Sequence, residues 1–192
     1  MKKKIAIALL GLGLAATSHA GTIWSGNGHE YQVVSNQGQQ ISWTAARTAA
    51  QALGAGWDLA TVGSADENSF IIGLLGSHGA DVYRAWWLGA AENIQTSTWS
   101  WIDGTPWTFT SWYPGEPNNY LGAEDYLEIL WHGPTNQFGW NDAPLGGYAN
   151  WTYGYVAERV PVGNGNVPEP GTLMLLGLGL FSLAALRSKT VC

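Results

Sequence analysis

Residues 112–126 read Trp-Tyr-Pro-Gly-Glu-Pro-Asn-Asn-Tyr-Leu-Gly-Ala-Glu-Asp-Tyr. Proline, glycine and asparagine at this density make a shaped loop, because each presets or permits a turn conformation for its own steric reason. The run lies at the centre of a region of short aromatic segments separated by Gly, Pro, Asn and Asp. Residues 86–89, 98–101, 125–131, 138–140 and 152–159 read as strands, with long loops between them.

The region before it has a different texture. Residues 30–34, Glu-Tyr-Gln-Val-Val, read as a strand, and Ser42 offers an N-cap to an alanine-rich helix over 43–53 that Gly54 and Gly56 end. Leu59-Ala60-Thr61-Val62 follows. Ser64-Ala65-Asp66-Glu67 is a capping box, in which the serine accepts the third helical N–H and the glutamate reaches back, so a second helix runs to about Leu75. Helices first and strands afterwards indicate an α+β fold rather than alternating α/β, and no internal repeat is evident.

The chain of 192 residues suits one domain with appendages, and 12 Trp make it too apolar for a disordered chain. Charged residues are only 11% of the total, about half the usual share, and they are unevenly placed. Between residues 21 and 166 the basic residues are Arg47, Arg84 and Arg159, against 13 of the 14 carboxylates. Such a body repels phosphate backbones and anionic lipid, which excludes nucleic acid as a partner and leaves cations and neutral ligands. The one cysteine, Cys192, is the last residue, so the body holds no disulfide, thiol nucleophile or thiolate metal site.

Both ends read as addresses. Residues 1–20 carry three lysines, an apolar run and Ser18-His19-Ala20, the three-part form of a secretory signal peptide, with the mature chain expected from Gly21. At the other end, a linker over 161–171 contains Val167-Pro168-Glu169-Pro170, followed by an apolar helix over 172–186 and a basic tail over 187–192. Those 15 apolar residues span about 22 Å as a helix, short of a hydrocarbon core of roughly 30 Å, so a transient sorting helix suits them better than a permanent span. Basic residues after the helix place the tail in the cytoplasm and the body outside. The arrangement closely resembles the PEP-CTERM sorting signal of Gram-negative bacteria. The resemblance implies an exosortase-type processing enzyme as partner, transient or permanent inner-membrane contact through the helix, and delivery to the cell surface or an exopolysaccharide matrix. An ordinary C-terminal anchor is the alternative.

The order of parts over 21–160 resembles the C-type lectin-like domain. The elements that carry the resemblance are Trp43-Thr44-Ala45-Ala46-Arg47, Leu59 to Val62, Trp87-Leu88-Gly89, Trp99-Ser100-Trp101 with Asp103-Gly104, Trp112, Glu116-Pro117-Asn118, Glu124-Asp125 and Trp140-Asn141-Asp142. The implied fold has two helices packed on short antiparallel strands with long loops. Where the family often has cysteines this chain has Ala50, Tyr126, Leu145 and Ala157, so buried side chains are expected to replace the crosslinks.

Calcium is a hard ion that takes six to eight oxygen ligands. Glu116 and Asn118 offer oxygens on either side of a proline whose bond to Glu116 can be cis, Glu124 follows eight residues later, and Asn141-Asp142 adds an amide, a carboxylate and a carbonyl. Turn formation alone is the competing reading of both segments. The family resemblance implies that Glu116, Asn118, Glu124, Asn141 and Asp142 form one Ca2+ site and, through it, a carbohydrate site. Two vicinal sugar hydroxyls would complete the shell, Asn118 and Asn141 donating and Glu116 and Glu124 accepting. In the family Glu-Pro-Asn goes with mannose- or glucose-type hydroxyl pairs, and single-ring affinity is about millimolar. A second family Ca2+ site would draw on Glu92 or Asn93, Asn119 and Asp125, but 95–97 lacks the expected carboxylate.

Trp86, Trp99, Trp101, Trp112 and Trp140 are expected in the core, Trp151 and Tyr120 on the surface, and His29, His78 and His132 in exposed loops. Asn150-Trp151-Thr152 matches a glycosylation acceptor, which a bacterial-type tail makes fortuitous. No nucleophile elbow, His-Glu-x-x-His or phosphate-cradling loop is present, and Glu116 and Glu124 held ionised by Ca2+ could not serve as a glycosidase pair. The expected function is therefore an exported, non-enzymatic, Ca2+-dependent carbohydrate-binding protein. The alternative is a structural or adhesion matrix protein that binds Ca2+ or a protein partner but no sugar.

Overall fold

The computed structural model describes residues 21–36, 38–76 and 82–161. The signal-peptide reading, His78 and the whole sorting segment from Val162 onward lie outside the described residues. No helix among the described residues is long and apolar enough to cross a membrane.

The elements run β1 (Thr22–Ile23), β2 (Glu30–Ser35), α1 (Trp43–Gln51), β3 (Asp58–Leu59), α2 (Ala65–Leu75), β4 (Tyr83–Asn93), β5 (Thr98–Trp101), β6 (Tyr126–His132), β7 (Gln137–Ala143) and β8 (Thr152–Arg159). Both helices begin where their caps predict. Ser42 Oγ accepts the N–H of Ala45 and Ser64 Oγ that of Glu67, each at 3.2 Å. Glu67 reaches back one residue further than a capping box requires, to the N–H of Gly63 at 2.7 Å. Helix α1 stops two residues short of the expected end: the Ala52 N–H makes the last α-type bond, to Thr48 O at 3.1 Å, and the Leu53 N–H turns more tightly onto Ala50 O at 3.0 Å.

The sheet order is β1-β2-β8-β4-β6-β7, with β3 on β8 and β5 on β4. The architecture is α+β, but the sheet is mixed: β8 pairs antiparallel with β2 and parallel with β4. The last strand thus closes between the first half of the domain and the second. Glu30 faces Arg159 in this pairing, and the guanidinium donates to Glu30 Oε2 at 2.7 Å.

Strand β4 is much longer than the four residues expected, and residues 85–90 are buried without interruption. Side chains of a strand alternate between faces. Trp86, Leu88 and Ala90 join an apolar cluster with Ile71, Leu75, Trp101, Leu127, Ile129, Trp131 and Trp140. Trp87 joins the other, with Trp43, Ala46, Ala50, Trp57 and Tyr155. Burial on both faces turns the expected alternation into a continuous apolar run.

This double core accounts for the absent crosslinks at three of four positions. Ala50 and Ala157 are fully buried, and Tyr126 packs its ring on Trp43 at 5.0 Å. Leu145 departs from the expectation: it is 44% exposed, and only its carbonyl is used, accepting the N–H of Trp43. Trp86, Trp101 and Trp140 are core as expected, and so is Trp131, whereas Trp99, Trp107 and Trp112 pack partly buried around the rim. Trp151 is not a free surface ring; it is half-buried and stacks on Tyr83 at 4.6 Å. Nor are His29 and His132 free loop residues. His29 Nδ1 contacts Glu158, and His132 is stacked on Tyr113 at 4.6 Å.

Two glycines test this packing in opposite directions. A Cβ on Gly154, in β8, would lie 1.9 Å from the carbonyl oxygen of Val34, whereas one on Gly73, exposed in α2, would meet nothing within 4 Å. Gly154→Ala is expected to destabilise the domain by at least about 1–3 kcal/mol through overpacking. Gly73→Ala is expected to stabilise it by about 0.5–1 kcal/mol through backbone entropy and helix propensity. Urea denaturation of both variants measures this, and equal midpoints would contradict the β2–β8 packing.

Candidate functional site

The loop that contains residues 112–125 leaves the sheet after β5 and returns at β6, and it is secured on β7. Tyr113 N–H donates to Trp140 O at 2.8 Å and Trp140 N–H to Ser111 O at 2.7 Å. Trp140 is buried beneath, its indole N–H bonded to Asn68 Oδ1 of α2 at 2.9 Å. The residues after Trp140 therefore emerge directly against the loop.

Asp142 is 1% exposed, and both its oxygens accept from that loop: Oδ1 from the N–H of Asn118 at 3.1 Å and Oδ2 from the N–H of Asn119 at 2.7 Å. Glu124, 2% exposed, stands just before β6. It accepts the N–H of Tyr120 and the hydroxyl of Tyr148, and its own N–H donates to Asn119 Oδ1 at 3.2 Å. The Glu116–Pro117 peptide is cis, and Glu116 Oε2 is buried with no hydrogen-bond partner. Asn141 is turned inward. Its amide donates to Glu128 Oε1 at 3.0 Å and to the carbonyl of Asp142 at 2.7 Å.

Glu116, Glu124 and Asp142 thus come within electrostatic reach of one another. Burial, then the charge and contact of Asp142, push the Glu116 carboxyl up to about 7, with the Asn118 N–H and amide opposing. Burial, with Asp142 and Glu116 adding to it, pushes Glu124 up to about 7, against the Tyr120 N–H. Glu128, fully enclosed beneath them, is pushed up to about 8 by burial, with Glu124 and Asp142 adding and Asn141 and Thr152 opposing. Glu92 is raised by burial, Asp125 and Asp142, and its N–H donates to the Asp125 carbonyl at 2.8 Å. Asn93 Oδ1 is used by the N–H of Gln95.

Among the described residues no three or more His, Cys, Asp or Glu side chains are gathered as a ready-made metal cluster. In this arrangement Asp142 and Glu124 spend their oxygens on N–H and O–H donors. The donor chemistry nevertheless fits a hard cation. It consists only of oxygens, burial and the neighbouring Asp142 charge raise the pKa values of Glu116 and Glu124, and one carboxylate oxygen is buried without a partner.

Two participants escaped the sequence reading. Glu128 carried a faint signal, one acid inside the apolar strand Tyr126–His132, since a charged residue is buried only when something holds it there. Tyr148 carried none, because its hydroxyl reaches Glu124 only once the loop after β7 folds back.

Residues 39–151 match the family model described as the lectin C-type domain, and residues 166–189 match the PEP-CTERM protein-sorting motif. The first match spans more than half of the chain, and the chain belongs to the C-type lectin domain family. Ladderlectin of Oncorhynchus mykiss is 32% identical over 105 residues, 55% of this chain and 52% of that protein. The chain spans about half the length of this relative. Among solved structures, the cow C-type carbohydrate-recognition domain of CD23, in the presence of GlcNAc2Man3 oligosaccharide, aligns with a TM-score of 0.52 at 24% identity, covering 68% of this chain and 87% of that one. Herring type II antifreeze protein aligns with a TM-score of 0.55 at 21% identity, covering 73% and 95%. These two likenesses establish the fold. The sorting motif marks an exported, surface-sorted protein.

The raised carboxyls set a pH dependence. Their ordinary value is 4.5, and their folded values are about 7, 7 and 8. Folded chains therefore hold protons that unfolded chains release, and this contribution to stability is lost as pH rises through the folded values. The melting temperature of metal-free protein is expected to fall between pH 5 and 8. Glu128→Gln is expected to flatten the upper part of that slope. Calorimetric melting along a pH series measures both, and a curve that rises over this window would contradict the cluster.

Proposed function

We propose that this is a Ca2+-dependent carbohydrate-binding protein of the cell surface or exopolysaccharide matrix, selective for mannose- or glucose-type hydroxyl pairs. The observation that carries the reading is the meeting of Glu116, Glu124 and Asp142 around a Glu-Pro-Asn segment, with a buried carboxylate oxygen left unpaired. Bound calcium supplies a charge that relieves the repulsion and an oxygen-seeking centre with positions left for ligand hydroxyls.

Glu116, Asn118, Glu124, Asn141 and Asp142 would hold the ion. The chain's own contribution to the sugar is directional. Asn118 would donate N–H groups to hydroxyl oxygens, joined by Asn141 once its amide turns away from Glu128, while Glu116 and Glu124 would accept hydroxyl protons. A pair of hydroxyls with the complementary spacing is recognised on both counts. Affinity for one ring is about millimolar, near −4 kcal/mol, so useful retention on a glycan needs several copies. No catalytic role is proposed.

One observation favours the alternative, a matrix adhesion protein that uses the ion for rigidity: the Asn141 amide is bonded inward to Glu128 rather than left toward the loop. Sugar binding separates the two readings. On immobilised mannose the protein is expected to be retained only with Ca2+ and released by free mannose or chelator. Asn118→Ala should weaken mannose binding at least about tenfold, roughly 1.4 kcal/mol. Glu116→Gln with Asn118→Asp should move preference toward galactose. Calcium titration that releases no heat would overturn both readings. Calcium binding without retention on any sugar would leave the adhesion reading.

A further inference from the structure

The loop that carries Glu116 and Glu124 also carries two apolar side chains that serve neither core. Tyr120 is 62% exposed and Leu121 84%, and neither belongs to either apolar cluster. Leu121 holds φ 59°, between Asn119 at 45° and Gly122 at 65°. Asparagine and glycine adopt this left-handed conformation readily, whereas a leucine does so at a steric cost. The fold thus bears a strained, solvated leucine at this position without gaining apolar burial from it.

The tip is held in place. Asn119 N–H is bonded to Asp142 Oδ2, Tyr120 N–H to Glu124, Gly122 N–H to Asn119 O at 2.8 Å, and Glu124 N–H to Asn119 Oδ1. The same carboxylates that define the candidate site therefore set where Tyr120 and Leu121 stand. An apolar surface is clamped beside a polar one, on a single loop.

We propose that Tyr120 and Leu121 form a contact for a hydrocarbon substituent on the bound saccharide, so that the ligand class is an acylated or alkyl-substituted glycan. This rests on the sugar-binding reading above and specifies its ligand. Two side chains are far too little surface for a stable protein partner, which needs about 1,200 Å2 in total. The excess of carboxylates in the body opposes anionic lipid, and the tip carries no lysine or arginine to anchor at a membrane surface. A ligand with hydroxyls at one point and methylene groups next to it satisfies both halves of the loop. A bare sugar leaves the leucine in water.

The test compares methyl and octyl glycosides of mannose, glucose, fucose and galactose, below the micellar concentration, by calorimetry on the full chain with Ca2+. The octyl form of the preferred sugar is expected to bind about tenfold more tightly than the methyl form. Tyr120→Ser with Leu121→Asn should erase that advantage and leave methyl-glycoside and Ca2+ binding unchanged. Asparagine keeps the left-handed backbone, so the melting temperature should hold or rise. Equal affinity for the two forms, or an octyl advantage that survives the double substitution, overturns this inference and leaves the sugar site standing. No binding of any glycoside overturns the site and this inference with it. Tip-dependent sedimentation with neutral phosphatidylcholine vesicles, with no octyl preference in solution, would replace the glycan substituent with a membrane surface.

Discussion

The organising constraint is the gathering of like charge where the loop meets β7. Glu116 and Glu124, buried beside Asp142, do not ionise freely, and backbone and side-chain donors hold Asp142 and Glu124 in place. Asp142 draws the backbone N–H groups of Asn118 and Asn119, and Glu124 draws those of Tyr120 and the Tyr148 hydroxyl. These bonds do two things at once. They partly neutralise the acids, and they give a long, glycine- and proline-rich loop one conformation. The shape of the loop and the charge of the site are therefore a single property, and a cation that altered one would alter the other.

Such a site needs a rigid floor, which tryptophan supplies here in place of disulfides. Trp140 is buried immediately before Asn141 and Asp142 and is tied to α2 through Asn68, while Trp101, Trp107, Trp112 and Phe109 pack around its ring. A large ring with one polar atom anchors a backbone more firmly than a small aliphatic residue, because it combines apolar contact with a directed hydrogen bond. At the other end of the domain the joining is polar. Tyr31 contacts Glu67 and lies 3.0 Å from Glu158, whose other oxygen accepts the N–H of Thr61 at 2.9 Å. Strands β2 and β8 and helix α2 are thereby connected without a crosslink.

Local signals were legible and non-local ones were not. Ser42 and Ser64 announce helix starts because capping is chemistry between residues three apart. Strands at 98–101 and 152–159 stand out because turn formers bound them. The length of β4 was hidden, since a strand buried on both faces loses the alternation that identifies it. Its parallel pairing with β8 was hidden too, because nothing local records which distant strand will lie alongside. Among site residues, Glu116, Asn118, Glu124 and Asp142 belong to segments whose composition already suggested oxygen ligation. Tyr148 and Glu128 take part only through contacts made across 24 and 13 residues.

The sequence alone determined the class of the molecule: an acidic, cysteine-free, tryptophan-rich α+β body between two address segments, with family motifs in order. Those features are written in composition and short spacing, which act before any tertiary contact exists. Only the tertiary structure decided the orientation of each donor. Asn141 bonds inward to Glu128, Tyr148 reaches Glu124, and Tyr120 and Leu121 are left facing water, because side-chain direction is settled by packing and hydrogen-bond competition among residues far apart along the chain.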